Sequence, residues 1–247
     1  MKDLTNEQLQ ENWDKLISLI ENTFDGEKKT NLLEMYNYFK DRMMIAPASG
    51  KEHYHYAFPG GYIEHILHVV DCSQRVSKIW KELGCNENWT EEELIFSALH
   101  HDLGKVGSLD GDYYTPNNSE WHRKNQGKIY EHNGSIHYMN VTDRTFYLLN
   151  HFKVPMTEQE FLAIKLTDGL YEEANKGYLM SYSDDFQLKT NLPIILHQGD
   201  MMASRLEYEE WKFGYVGSKE HKVTKGEAVE LSDNQKDVFK ELFGGSK

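Results

Sequence analysis

The stretch Ser97–Lys105, SALHHDLGK, closes an apolar helical run with two adjacent histidines and an aspartate. An imidazole and a carboxylate are held side by side where a helix stops, and that donor pair suits first-row divalent metals. Two donors cannot hold a metal against water, so other segments must supply the rest. If those segments are also helical, the fold is a bundle built around the ion. The run opens at Thr90, where Thr90 and Glu93 form a capping box, and carries Leu94, Ile95, Ala98 and Leu99 towards His101 and Asp102.

Upstream, the spacing predicts a long helix from Tyr62 to Leu83 with Gly84 at its C-terminal cap position. His65 and His68 fall on one face of it, because residues three apart are neighbours on a helix. The loop before it, Pro47–Gly61, carries His53 and His55 among the aromatics Tyr54, Tyr56 and Phe58. Those histidines join no apolar period, which leaves a binding loop and an ordinary surface loop both open. Two amphipathic helices precede it, Thr5 to about Thr23 and Glu27 to Met44. Thr5 and Gln8 form a capping box, and the second helix stops before Pro47. Their aromatic and methionine stripes read as core packing.

Downstream, Ser108–Asn133 is rich in Gly, Asn and Tyr, and only DGDYYT and GKIYEH look like strands. A β-hairpin or a long ordered loop beside the site is expected. Helical pattern returns at about Thr142–Phe152, and again from Thr157, where TEQE is a capping box and the helix is expected to end at Asp168-Gly169. A polar stretch, Tyr171–Thr190, leads into a helix from Leu192 to about Trp211 that carries His197, Asp200 and Arg205. A last short helix is expected over Ser232–Phe243, and no repeat or domain linker is visible.

Composition bounds the rest. With 247 residues, 39% hydrophobic and 27% charged, the chain has material for one soluble core. A net charge of -13 argues against long nucleic acids as partners, since phosphate backbones are held by clustered cations. Cys72 and Cys85 have no CxxC spacing, so neither a disulfide framework nor a zinc-thiolate site is expected. No signal segment or membrane-spanning run is evident, and a cytoplasmic protein without membrane partners is expected.

The order His65, then His101-Asp102, then Asp200 resembles the HD superfamily of metal-dependent phosphohydrolases. Three elements carry the resemblance: GGYIEH (Gly60–His65), LHHDLGK (Leu99–Lys105) and LHQGDMMAS (Leu196–Ser204). It covers roughly Pro47–Glu209, including MTEQEFLAI, and leaves 1–46 as an N-terminal helical addition and 210–247 as a C-terminal extension. It implies an all-α fold, a single-domain helical bundle around a metal site with the hairpin or ordered loop as an insertion. It implies metal roles for His65, His101, Asp102 and Asp200, catalytic roles for Asp102 and Lys105, and phosphate contact by Lys105. Weaker candidates for substrate binding are His55, His197, Arg205 and Asp168, with His197 also able to orient Asp200. His68 and His100 read as packed histidines.

The chain departs from the family at one point. Many relatives bind a second metal through two further histidines, where this chain reads VTDRT (Val141–Thr145) and LTDG (Leu166–Gly169). His132, His137 and His151 could replace them by a shifted alignment, but one divalent ion is expected. The nitrogen and oxygen set admits Mn, Fe, Co, Ni, Zn or Mg. The implied activity is hydrolysis of a phosphoester, expected in a small anionic substrate such as a nucleotide, by metal-activated water. The alternatives are a di-iron oxygenase on the same scaffold, which needs six ligands, and a non-catalytic nucleotide-binding module. Tyr54, Tyr56, Phe58 and the Tyr113-Tyr114 pair could stack on a base, or could simply pack.

Overall fold

A computed structural model of the chain describes residues 4–181 and 183–214. The helix expected over Ser232–Phe243 lies outside the described residues. Among the described residues helix dominates, as expected, with one small two-stranded sheet. No helix among the described residues is long and apolar enough to cross a membrane.

All three capping boxes form. Thr5 caps α1 (Asn6–Thr23) with Gln8, and Thr90 caps α4 (Glu91–His100) with Glu93. Thr157 caps α7 (Glu158–Lys165) with Glu160. Each box satisfies backbone N–H groups that a helix start otherwise leaves bare. The α1 helix packs with α2 (Gly26–Ile45) and α3 (Gly61–Glu82) through the buried Trp13, Leu16, Ile20, Leu32, Met35 and Phe39. Lys28 on α2 bonds the fully buried Glu160 of α7 at 2.5 Å and lies 4.3 Å from the centre of the Phe96 ring.

The centre of the bundle is α3 against α9 (Leu192–Phe213), with α4 on α3 and α7 on both α4 and α9. Gly199 makes the central contact possible. A Cβ there would collide with the backbone and Oγ of Ser73 on α3, so the two helices meet backbone to backbone. That contact lies one residue from Asp200 and two turns beyond His65.

The sheet pairs β1 (Tyr114–Pro116) with β2 (Tyr130–His132) antiparallel, Tyr114 opposite His132. The expected hairpin is therefore present, but its connection contains a short helix, α5 (Glu120–Gln126). The Pro47–Gly61 loop joins the sheet on its other side. Gly50 O accepts from the N–H groups of Ile129 (3.0 Å) and Tyr130 (3.1 Å), and Lys51 bridges to Lys128. His55 is thus carried on a braced loop.

After the insertion come α6 (Val141–His151) and α7, which stops at Lys165, short of the expected end at Asp168. At the stop the Thr167 hydroxyl takes Ala163 O, the acceptor its own N–H would use in a continued helix, and His197 Nδ1–H of α9 donates to Thr167 O at 2.6 Å. The chain then turns at Gly169, whose φ of +54° and contact with the His197 ring leave no room for a side chain. The polar stretch that follows holds a one-turn helix, α8 (Lys176–Leu179), among 3₁₀ turns.

Candidate metal centre

Three helices bring four donors together. His65 comes from the first turns of α3, His101 and Asp102 from the end of α4, and Asp200 from the middle of α9. His65 Nε2 lies 3.6 Å from Asp102 Oδ2 and 3.5 Å from Asp200 Oδ1. His101 Nε2 lies 3.4 Å and 3.8 Å from the same two oxygens. Donors bound at about 2.0–2.2 Å to one ion stand at such separations from one another.

The tautomers favour an ion as well. His101 Nδ1 faces the carbonyl of Ala98 at 2.8 Å, and a carbonyl only accepts, so Nδ1 carries the proton. His65 Nδ1 faces both oxygens of Glu207, at 3.0 and 3.1 Å, and donates there. Each ring, when neutral, therefore has its lone pair on Nε2. Both Nε2 atoms are buried and have no hydrogen-bond partner. An unpaired buried nitrogen costs about 1–3 kcal/mol, and a shared cation removes that cost twice. The donor set fits a divalent metal, and these His and Asp groups could hold one.

Glu207 is the residue that sequence reasoning missed. It is buried, and it also accepts from His68 Nδ1 at 2.9 Å, so His68 is a satisfied helix histidine as expected. A carboxylate behind a ligating imidazole fixes its orientation and raises its basicity. The signal was available: Leu196, Gly199, Ala203 and Glu207 recur at three and four residues along the buried stripe of α9. Ser204 is a second omission. Its hydroxyl reaches Asp200 Oδ1 at 3.3 Å, whereas the His197 ring is bonded to Thr167, so Ser204 and not His197 orients Asp200.

The charges follow from this packing. Burial opposes a charge on His65, but Glu207 and Asp200 outweigh it and push the ion-free imidazole up to about 10. Glu207, although desolvated, is held down at about 2 by His65 and His68. Lys105 Nζ donates to Asp102 Oδ2 at 2.6 Å and to His55 Nε2 at 3.4 Å. Burial works against the ammonium, but Asp102 holds its pKa above the usual lysine range. His55 stacks on His65 with ring centres 4.5 Å apart. Burial, with His65 and Lys105 alongside, drives it down to about 3, so it is a neutral acceptor. Burial pushes Asp168 upward, helped by Asp102 and Asp200.

Two clefts reach the cluster and share Thr167, Asp168 and Asp200. One, about 450 Å³, runs under the insertion. Its wall carries Lys105 and Lys165 among the acids Asp143, Asp168 and Glu172, with Tyr113 and Thr142. The other, about 480 Å³, opens along α9 and is walled by His55, His197, Arg205, Tyr54, Tyr171 and Tyr208. All four weaker substrate candidates therefore lie at the clefts, Asp168 in both and the other three in the second.

Other expectations meet different fates. His100 is buried in the core, bonded to Phe96 O at 2.6 Å and to Tyr36 Oη at 3.3 Å, and takes no part in the cluster. His132 packs on Tyr113 in the sheet, and His151 packs on Phe152 at the far end of α6. Among the described residues, groupings able to hold a metal draw only on His55, His65, His101, Asp102 and Asp200, without His132, His137 or His151. Of the loop aromatics, Phe58 is buried and Tyr56 donates to Glu210 Oε2 at 2.7 Å, so both brace the loop and do not face a ligand. Comparison of the chain with protein-family models, with curated proteins and with solved structures gave no match.

Proposed function

We propose that this chain is an HD-type, metal-dependent phosphohydrolase that cleaves a phosphoester, with a nucleotide as the expected substrate. The observation that carries the reading is the convergence of four donors from three helices on one point, with both Nε2 lone pairs left unpartnered. A divalent cation bound there supplies Lewis acidity and a water of lowered pKa.

The chain's own groups have separate tasks. His65, His101, Asp102 and Asp200 would hold the ion, and Glu207 keeps His65 in the ligating tautomer. Lys105, fixed between Asp102 and His55, presents a permanent positive charge to phosphoryl oxygens in the first cleft. Asp168 stands where the two clefts meet and can accept a hydrogen bond from water there. A single ion is favoured because Thr142 and Thr167 line the wall where relatives are expected to carry second-metal histidines.

The test is metal analysis followed by a screen of Mn-, Fe-, Co-, Ni-, Zn- and Mg-supplemented protein against nucleotides, with Asp102→Ala as control. One ion per chain and phosphate or nucleoside release lost in the control are expected. No release from a broad panel would overturn the reading. Two irons per chain with oxygen uptake would replace it with the oxygenase alternative.

A further inference from the structure

The two clefts differ in a way that assigns them different parts of a substrate. We infer that the cleft along α9 is the subsite for the non-reacting part of the substrate, a nucleobase and its sugar, with Tyr208 as the residue that sets specificity for the base and Arg205 as an anchor for the phosphate to which they are attached. This rests on the phosphohydrolase reading above and extends it to a part of the molecule which that reading leaves unused.

Charge gives the first argument. Beyond the shared Asp168 and Asp200, the cleft under the insertion sets Asp102, Asp143 and Glu172 against Lys105 and Lys165, a net negative border that disfavours any anion extending past the reacting phosphoryl group. The α9 cleft contributes Arg205, and the only acids lining it are Asp168 and Asp200, which it shares with the other cleft. No carboxylate pairs with Arg205 among the described residues. In a chain of net charge -13, an unpaired arginine about one turn from Asp200 is a local site for a negative group.

Ring geometry gives the second. His53 packs on Tyr54 at 4.9 Å and on Trp211 at 6.4 Å, and Trp211 packs on Tyr208 at 5.7 Å. Across the cleft Tyr171 lies 6.4 Å from the His197 ring. His53 and Tyr208 both line the cleft and both pack on Trp211, which is not in its lining, while Tyr54 and Tyr171 stay exposed at 48% and 87%. Aromatic rings and an arginine lining one cleft that reaches the candidate metal cluster suit a flat ring attached through a sugar to phosphate. A bare sugar phosphate would leave those rings in water.

The experiment uses the full chain loaded with Mn²⁺ and two probes that cannot be turned over, the phosphonate isosteres of AMP and of ribose 5-phosphate. Binding is read by calorimetry. Wild type should bind the nucleoside phosphonate about tenfold more tightly than the sugar phosphonate, the size of one base–aromatic stack. Tyr208→Ala should bring that ratio close to one, and Tyr208→Phe should keep it. Arg205→Ala should weaken both probes by about tenfold. Equal binding of the two probes by wild type, or a ratio unchanged in Tyr208→Ala, overturns the inference. The underlying reading is judged separately by phosphate release from AMP itself. Release with a ratio of one removes only this inference, whereas a tenfold ratio without release from any nucleotide leaves the subsite and removes the hydrolase.

Discussion

The two clefts that meet at Asp168 and Asp200 are similar in volume and opposite in construction. The one beneath the insertion is polar, with Lys105 and Lys165 set among carboxylates, and its walls come from segments far apart in sequence. The one along α9 is aromatic and open, and half its wall is one helix. The first suits chemistry, where a few fixed charges act on a small group; the second suits recognition, where area and ring faces matter. If that division is right, substitutions in the first should act on turnover and those in the second on affinity.

The largest effect is expected at the shared centre. Asp102→Asn should lower turnover on the order of a thousandfold, with loss of bound metal seen by metal analysis. Lys105→Ala should lower kcat by about a hundredfold with KM little changed, because its charge acts on the phosphoryl group; a change confined to KM would erase the contrast between the clefts. Glu207→Gln should weaken metal affinity by about ten- to a hundredfold in competition with a chelator, with both clefts affected alike. Tyr208→Ala should raise KM for a nucleotide by about tenfold and leave kcat near wild type.

Glu207 also gives a pH signature in the ion-free chain. Its pKa falls from 4.5 to about 2 on folding, so its stabilisation is complete above 4.5 and is lost as pH falls through 2. His65 rises from 6.5 to about 10, so its share is complete below 6.5 and is lost as pH climbs through 10. In chelator, the gap in unfolding free energy between wild type and Glu207→Gln should therefore be widest between about 4.5 and 6.5 and shrink on both sides. A gap that kept growing from neutral pH towards pH 10 would show that the pair is not ionised as described.

Much of this was legible in the sequence, for physical reasons that differ by region. Capping boxes at Thr5, Thr90 and Thr157 are local chemistry and need no tertiary knowledge, so those helix starts were readable to the residue. The four candidate donors were readable through the resemblance of GGYIEH, LHHDLGK and LHQGDMMAS to the HD superfamily, since His68, His100 and His197 on the same helices offer the same kind of atom. Glu207 was not, since a glutamate on a helix looks like a solvated one until its partner from another helix is known. The turn after α7 was hidden for the same reason: His197, which bonds Thr167 O and packs on Gly169, lies 30 residues further on. The short strands β1 and β2 lack enough residues to show alternation, and only their Gly-Asp and tyrosine composition suggested them.

The contact of Gly199 with Ser73 bears on which ions the proposed centre would accept. His65 and Asp200 stand on helices whose spacing is fixed by backbone against backbone, where no rotamer can lengthen or shorten the gap. With an ion bound as proposed, the centre would work as a gauge of set width. A cation that needs longer bonds must move Asp102 or the side chain of Asp200, and cannot do so by easing the two helices apart.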